Sequence, residues 1–280
     1  MDGSRKRRPI FSFLIYASLA AYLLIAFAPI YWMVLTSLRT EKQIYSRQAM
    51  LIPQNLTLEN YIYALTEKPL LMWLANSFMV ALGSVIISVI ISAMAAYALA
   101  RLRFPGRGHL ARLLVYTYLI PTSLLFIPMF VIIGWLGLQD SRIGLILVYL
   151  SFTVPFGSWL LLGFFLTIPQ ELEDAAKIDG CSYLGVLFRI VLPLAKPGIA
   201  ATFIFCFAEA WNEFLYAAVL LTHESRITAP LGLLRFTVAD SYLWGPLTAA
   251  ALLTSIPAVI LFILAQRLVV TGLTAGAVKG

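Results

Sequence analysis

The sequence predicts an all-α membrane protein with six transmembrane helices. Three observations carry that expectation. Of the 280 residues, 61% are hydrophobic and 12% are charged, against about 45–50% and about 25% in soluble domains. A soluble core of this size could not hide so much apolar surface. Six charge-poor runs are each long enough to cross a bilayer core, which takes about 20 apolar residues. Lysine and arginine are also divided unequally between alternate connecting segments, the bias that orients spans in a membrane.

The runs are Pro9–Leu38, Pro69–Ala100, Leu113–Gln139, Ile143–Gln170, Pro197–Thr222 and Ser241–Gln266, and only the fifth carries charge, as Glu209 and Glu213. With the N-terminus inside, 13 Lys and Arg residues fall on inside segments and 7 on outside segments. The compact loop ARLRFPGRGHLAR is the strongest single contribution. Both termini are therefore expected in the cytoplasm. The expected organisation is an N-terminal tail, first span and external segment (1–71), five further spans with a loop at 168–197 (72–267), and a C-terminal tail (268–280). The net charge of +7 is then a consequence of topology and does not point to nucleic acid.

The first run has the look of a signal peptide, with RKRR before it and Ala26-Phe27-Ala28 within it. It continues through Pro29 to Leu38, too long for the apolar region of a signal, and reads as a retained span. In the external segment, TLENYIYAL predicts a short amphipathic helix, either a docking surface or a lid. The second span carries Ser84, Ser88, Ser92, Ala96 and Ala100 at a spacing of four. Such a stripe lets another helix approach closely, within this chain or from a partner. Pro29, Pro121, Pro128, Pro155, Pro246 and Pro257 predict kinks. The absence of an internal repeat weighs against many secondary-transporter folds. Cys181 and Cys206 fall in a cytoplasmic loop and a span, where no disulfide is expected. His109 and His223 fall on opposite sides of the membrane, which leaves no metal site to build. No G-x-x-x-x-G-K-[ST] occurs, so the chain carries no P-loop.

The segment Glu171–Ala200 interrupts the apolar runs with four acids, three bases and two prolines. Thr167 and Gln170 have capping-box spacing, with Pro169 in the first turn and Glu171, Glu173 and Asp174 near the positive end of the helix dipole. Gly180 marks the left-handed stop. Ser182 then caps a second helix, whose Leu184, Leu187, Phe188 and Val191 fall on one face. Pro193 and Pro197 end it. The first helix has few bulky residues besides Leu172 and Ile178. Its Ala175-Ala176 pair forms a thin ridge, read as an elbow offered to a cytoplasmic partner or as a helix packed on its own spans.

These residues resemble the membrane subunits of binding-protein-dependent ABC importers. The pattern E-A-A-x3-G-x9-I-x-L-P is present as Asp174-Ala175-Ala176, Gly180, Ile190, Leu192 and Pro193, with Asp in place of the leading Glu. The likeness is nearest to the second membrane subunit of the maltose-type, carbohydrate branch, through AYALARLRFPGR, IDGCSY, WNEF and GLTAGAVKG. It implies the type I ABC importer permease fold, with the cytoplasmic loop as the coupling helix. It also implies a second permease subunit, two ATPase subunits that hold ATP and Mg, and an extracytoplasmic substrate-binding protein, in a bacterial or archaeal cytoplasmic membrane. No cofactor is implied in this chain, which would be a transport subunit and not an enzyme. The resemblance assigns ATPase coupling to Asp174, Ala175, Ala176, Asp179, Gly180, Ile190, Leu192 and Pro193. It suggests tail contacts with the ATPase at Gly276 and Lys279, and binding-protein contacts at Arg235 and Asp240.

In the fifth run, FAEAWNEFLYA places Glu209 and Glu213 one helical turn apart on one expected face. Ionisable groups in a span are costly and usually face a water-filled path or a partner. With Trp211 and Asn212 beside them, they are candidates for a sugar pathway; the alternative is a pairing with the other subunit. Two other functions fit less well. One is the same architecture for glycerol 3-phosphate, for which no dense basic cluster is visible in the spans. The other is a proton-coupled transporter using the two glutamates.

Overall fold

Long apolar runs become long helices wherever nothing interrupts the hydrogen-bond ladder. The computed structural model describes residues 9–46, 55–238 and 241–277. Among these, four helices are long and apolar enough to span a membrane: α1 (Pro9–Ser37), α4 (Leu70–Arg101), α7 (Arg142–Leu166) and α14 (Trp244–Ala277). At 1.5 Å per residue α4 is about 48 Å long, more than the roughly 30 Å hydrocarbon core. Pro29, Pro155 and Pro257 sit inside α1, α7 and α14 without ending them.

Two of the six expected spans are not single helices. The third is α5 (Arg107–Leu119), a 3-10 turn (Thr122–Leu124) and α6 (Phe126–Trp135). The break is at Pro121, which has no amide to donate and forces Ile120 into the extended region at φ −69°, ψ 123°. Pro128 lies in the first turn of α6 and is tolerated there. The fifth is α11 (Lys196–Asn212) followed by α12 (Leu215–Leu220), parted at Glu213. Between α7 and α11 come α8 (Gln170–Ile178), α9 (Tyr183–Val186), a π turn (Leu187–Val191) and α10 (Leu192–Leu194). The α9–α10 stretch and α11 meet at an angle of 82°.

The chain divides into two compact units. The first, Met1–Pro69 with Arg235–Leu253, holds α1, α2 (Glu41–Ile44), α3 (Glu59–Thr66) and the start of α14. It also holds an antiparallel pair of two-residue strands, β1 (Thr237–Val238) and β2 (Ser241–Tyr242), the departure from an all-α chain. The amphipathic helix expected near Thr57–Leu65 is α3. Its buried Asn60 donates to the carbonyls of Ser37 and Arg39, at 2.9 and 2.7 Å. Those carbonyls lie at and beyond the end of α1, where the helix has no partner for them. Among the described residues, none in the most apolar stretch of α1 is buried.

The second unit, Leu70–Leu234 with Thr254–Gly280, is built on α4, α7 and α11. The stripe Ser84, Ser88, Ser92, Ala96 and Ala100 is buried and lies against α7. Ser88 Oγ is 2.5 Å from Thr153 Oγ1, and Ser92 Oγ donates to the Val154 carbonyl at 3.1 Å. Gly157 is required there, because a Cβ would strike Ser92 Oγ at 2.7 Å. The register rises together along α4 and α7, so they run parallel. In α11, Gly198 meets Phe164 and Cys206 meets Thr153, so α11 runs antiparallel to both. Close contact of small faces is how helices associate in lipid. α13 (Ala229–Gly232) closes the unit beside α4, where a Cβ on Gly232 would strike Trp73.

Candidate coupling and translocation sites

The charged segment forms a turn of short helices at the C-terminal ends of α4 and α7. Thr167 does not cap α8. It ends α7, its hydroxyl donating to the Phe164 carbonyl at 2.7 Å. The N-cap of α8 is Pro169, and Glu171 and Glu173 lie in the first turn. At the other end Gly180 adopts φ 85°. The Gly180 amide donates to Lys177 O (3.0 Å) and the Cys181 amide to Ala176 O (2.9 Å), the pair of bonds that defines a Schellman stop. Ser182 Oγ accepts from the Gly185 amide and starts α9. The π turn then shifts the phase of the second helix: Leu187 and Val191 are buried, while Leu184 and Phe188 are exposed.

The polarity of α8 is inverted. Its buried residues are Glu173, 1% exposed, and Ala176, whereas Ile178 is 87% exposed and Leu172 is exposed too. The expected Ala175-Ala176 ridge is therefore half a ridge, with Ala175 outside and Ala176 packed inward. Asp174, Asp179, Gly180 and Pro193 are exposed as well; Ile190 and Leu192 are half-buried against the core under the turn. Asp174 pairs with Lys177 at 3.0 Å on the surface, and Lys177 lies over the Tyr183 ring.

What holds α8 in place was not foreseen from the sequence. Glu173 Oε1 accepts from Arg101 Nε at 2.5 Å, and both side chains are buried. Arg101 Nη2 also donates to the carbonyls of Phe165 and Ile168, each at 2.8 Å. One guanidinium thus closes the C-terminus of α7, where cations are favoured, and ties α8 to the end of α4. A base at the end of a long apolar run was the available signal; its partner lies 72 positions away.

The two acids of the fifth run do not share a helix face. α11 ends at Asn212, and Glu213 is extended at φ −67°, ψ 129°. Its carboxylate accepts from the amides of Tyr216 (2.8 Å) and Ala217 (3.2 Å) and from the Tyr149 hydroxyl (2.9 Å). Glu213 is the N-terminal anchor of α12. Trp211 is buried, stacked on Phe207, with Nε1 donating to the Thr254 carbonyl. Asn212 is exposed and donates back to Ala208 O. Glu209 is exposed at the edge of a cleft with Tyr118, Ser151, Phe152 and Phe156. Tyr216 joins the two broken spans by donating its hydroxyl to the Thr122 carbonyl beside the Pro121 break, at 2.9 Å.

On the loops, Asp140 has φ 48°. It accepts from the amides of Thr222 and His223 and from Arg226, and contacts the His223 ring. Burial opposes its charge, but the amide and imidazole hydrogen bonds prevail and lower its pKa to about 2. Arg235 is exposed in a 3-10 turn. Asp240 and Lys279 lie outside the described residues. Gly276 lies in α14, which runs on to Ala277. Among the described residues no group of acids, histidines and cysteines could hold a metal.

Residues 88–274, the span that carries α8 and its anchor, match the family of binding-protein-dependent transport system inner membrane components. The chain belongs to this family. The inner membrane ABC transporter permease protein YcjP of Escherichia coli K12 is 38% identical over 95% of each chain. The sulfoquinovosyl glycerol transport system permease protein SmoH of Agrobacterium fabrum is 38% identical over 90% of this chain and 88% of its own. The arabinooligosaccharides transport system permease protein AraQ of Halalkalibacterium halodurans is 36% identical over 99% of each. A chain of a bacterial ABC transporter that imports the acidic polysaccharide alginate shares the fold, with a TM-score of 0.80 over 95% of this chain and 99% of its own at 24% identity. As a family member, the chain is a multi-pass inner-membrane permease component of a transport system that works with a binding protein. It resembles sugar permeases, and it is not an enzyme.

Proposed function

We propose that the chain is one of two permease subunits of an ATP-driven sugar importer and works by alternating access. Both termini face the cytoplasm on this reading, and α8 is the knob on which a separate ATPase docks. The observation that carries it is the inverted polarity of α8. A helix that buries its glutamate and exposes Ile178 is built to have that face covered by something else. Its inner face is bonded to the ends of α4 and α7 through Arg101, so displacement of α8 moves spans. Asp174, Ala175, Asp179, Gly180 and Pro193 form the docking side; Ala176, Ile190 and Leu192 fix the turn from beneath. ATP and Mg belong to the ATPase. We assign ATPase contact to Gly276 and Lys279, and binding-protein contact to Arg235 and Asp240.

In the pathway, Glu209 and Asn212 are exposed polar groups of the fifth run, and we assign contact with the sugar to them. Trp211 and Glu213 shape the wall. The cleft beside Glu209 is lined by hydroxyls and rings with no base, which favours a neutral hydroxylated solute over a phosphate ester. The test is affinity purification of the tagged chain from its native membrane. An ATPase and a second permease should accompany it, and Gly180→Pro should lose the ATPase while keeping the permease. Uptake should resist an uncoupler when ATP is maintained. A chain that purifies alone, with uptake abolished by the uncoupler, would replace this reading with proton coupling.

A further inference from the structure

The first unit contains a cavity of about 450 Å³, within the roughly 300–1,000 Å³ of small-ligand sites. Its walls are α2, α3 and the first turn of α14. Three aromatic rings line it, Tyr45, Tyr63 and Trp244, together with two carboxylates, Glu41 and Glu59. Among the described residues no lysine or arginine does.

The walls are braced from behind. The Tyr45 hydroxyl donates to the Tyr242 carbonyl at 2.9 Å, and the Trp244 ring lies 5.2 Å from that of Tyr242. Asn60 is held by its two bonds to the end of α1. Gly245 lets α14 lie against Asn60, since any Cβ there would strike the Asn60 amide. The two carboxylates are different: among the described residues neither makes a hydrogen bond or ion pair. The cavity is thus a shaped aromatic pocket with free acceptors at its rim.

A sugar ring matches that chemistry. It has an apolar C–H face for aromatic rings and hydroxyl donors for carboxylates, which only accept. An acidic saccharide would meet two like charges, with no base among the described lining residues to offset them. Rings with carboxylates also attract ammonium groups. The volume of the cavity, Thr40 in its wall and the placement of the acids on two separate helices favour an extended polyhydroxylated ligand over a compact cation. We propose that this cavity is a subsite for neutral saccharides, separate from the cleft beside Glu209, at which the permease itself selects against acidic sugars. The proposal rests on the sugar-import reading, which puts the first turn of α14 at the outer membrane face, where the binding protein releases its cargo.

The test is saturation-transfer difference NMR on the assembled complex in nanodiscs, without binding protein. The probes are maltose, trehalose and cellobiose, with digalacturonate as the acidic and choline as the cationic comparison. At least one neutral disaccharide should receive saturation at its ring C–H protons, and digalacturonate none. Trp244→Ala and Glu59→Gln should each weaken the response about tenfold, the loss of about 1.4 kcal/mol. Co-purification of the ATPase with both variants checks that they are assembled. No response from any neutral disaccharide, a response to choline alone, or an undiminished response in Trp244→Ala overturns the proposal. So does a variant that weakens docking of the binding protein and leaves the sugar response unchanged. ATP-driven uptake, measured in parallel, separates the two ideas. Normal uptake without sugar binding here removes the subsite and leaves the importer standing; absence of ATP-driven uptake removes the importer itself.

Discussion

Replacing Glu173 with alanine should release α8 from the spans. Glu173 is 1% exposed and Arg101 5%, with 2.5 Å between them. Removing one member of a buried pair leaves the other charge uncompensated and costs about 3–5 kcal/mol. At about 1.4 kcal/mol per decade, amide protection in α8 should fall by roughly two to three and a half orders of magnitude. The assay is hydrogen exchange by mass spectrometry on the assembled complex in nanodiscs, read on peptides covering 170–181. The double substitution Arg101→Met with Glu173→Leu removes both charges. It should recover all but about 2 kcal/mol, because the carbonyls of Phe165 and Ile168 each lose a donor worth about 1 kcal/mol. Peptides of Glu173→Ala that exchange at the unaltered rate would refute the reasoning: α8 would then be held by apolar packing alone.

Gly180→Ala should destabilise the turn by about 1 kcal/mol, because φ is 85° with open space around the residue; the cost is conformational and not steric, and exchange should quicken at the Cys181 amide. Glu213→Ala should lower the thermal stability of the complex by the worth of a helix cap, about 1–2 kcal/mol, with Glu213→Gln retaining part of it. Glu209→Gln should leave stability unchanged and alter the uptake kinetics. The Asp140 clamp should respond to acid. A carboxylate whose folded pKa is lowered, here from 3.8 to about 2, stabilises above its ordinary value and loses that contribution as pH falls toward the folded one. Exchange at Thr222 and His223 should therefore accelerate between about pH 4 and about pH 2, and Asp140→Asn should abolish that dependence.

Four of the six runs could be read directly as continuous helices, because composition alone decides whether an uninterrupted apolar run of this length is helical in lipid. The other two could not. Pro121 breaks its run while Pro29, Pro155 and Pro257 do not, and the Tyr216 hydroxyl that bonds the Thr122 carbonyl beside the break comes from 94 positions away. Likewise a helical period extended across Glu213 puts it on a face with Glu209, when the carboxylate in fact ends one helix and anchors the next. The elbow was legible through Gly180 and Ser182, whose effects are local. Its anchor was not, because Arg101 and Glu173 meet only once α4 and α7 are packed in parallel. Helical spacing puts Ala175 and Ala176 in one thin ridge, and the burial of Glu173 three positions before Ala176 turns that alanine inward.

On the proposed function, an ATPase covers the outer face of α8 and the chain itself covers the inner face. Single cysteines placed by Ala175→Cys, Ile178→Cys and Ala176→Cys in a background with Cys181→Ser and Cys206→Ser, treated with a short bismaleimide in native membranes, are the test. Ala175→Cys and Ile178→Cys should each cross-link to an ATPase-sized protein that binds ATP, and Ala176→Cys, 8% exposed, should not. If no position on the outer face cross-links, or if the buried position does so as well as the exposed ones, then α8 does not dock an ATPase through this face.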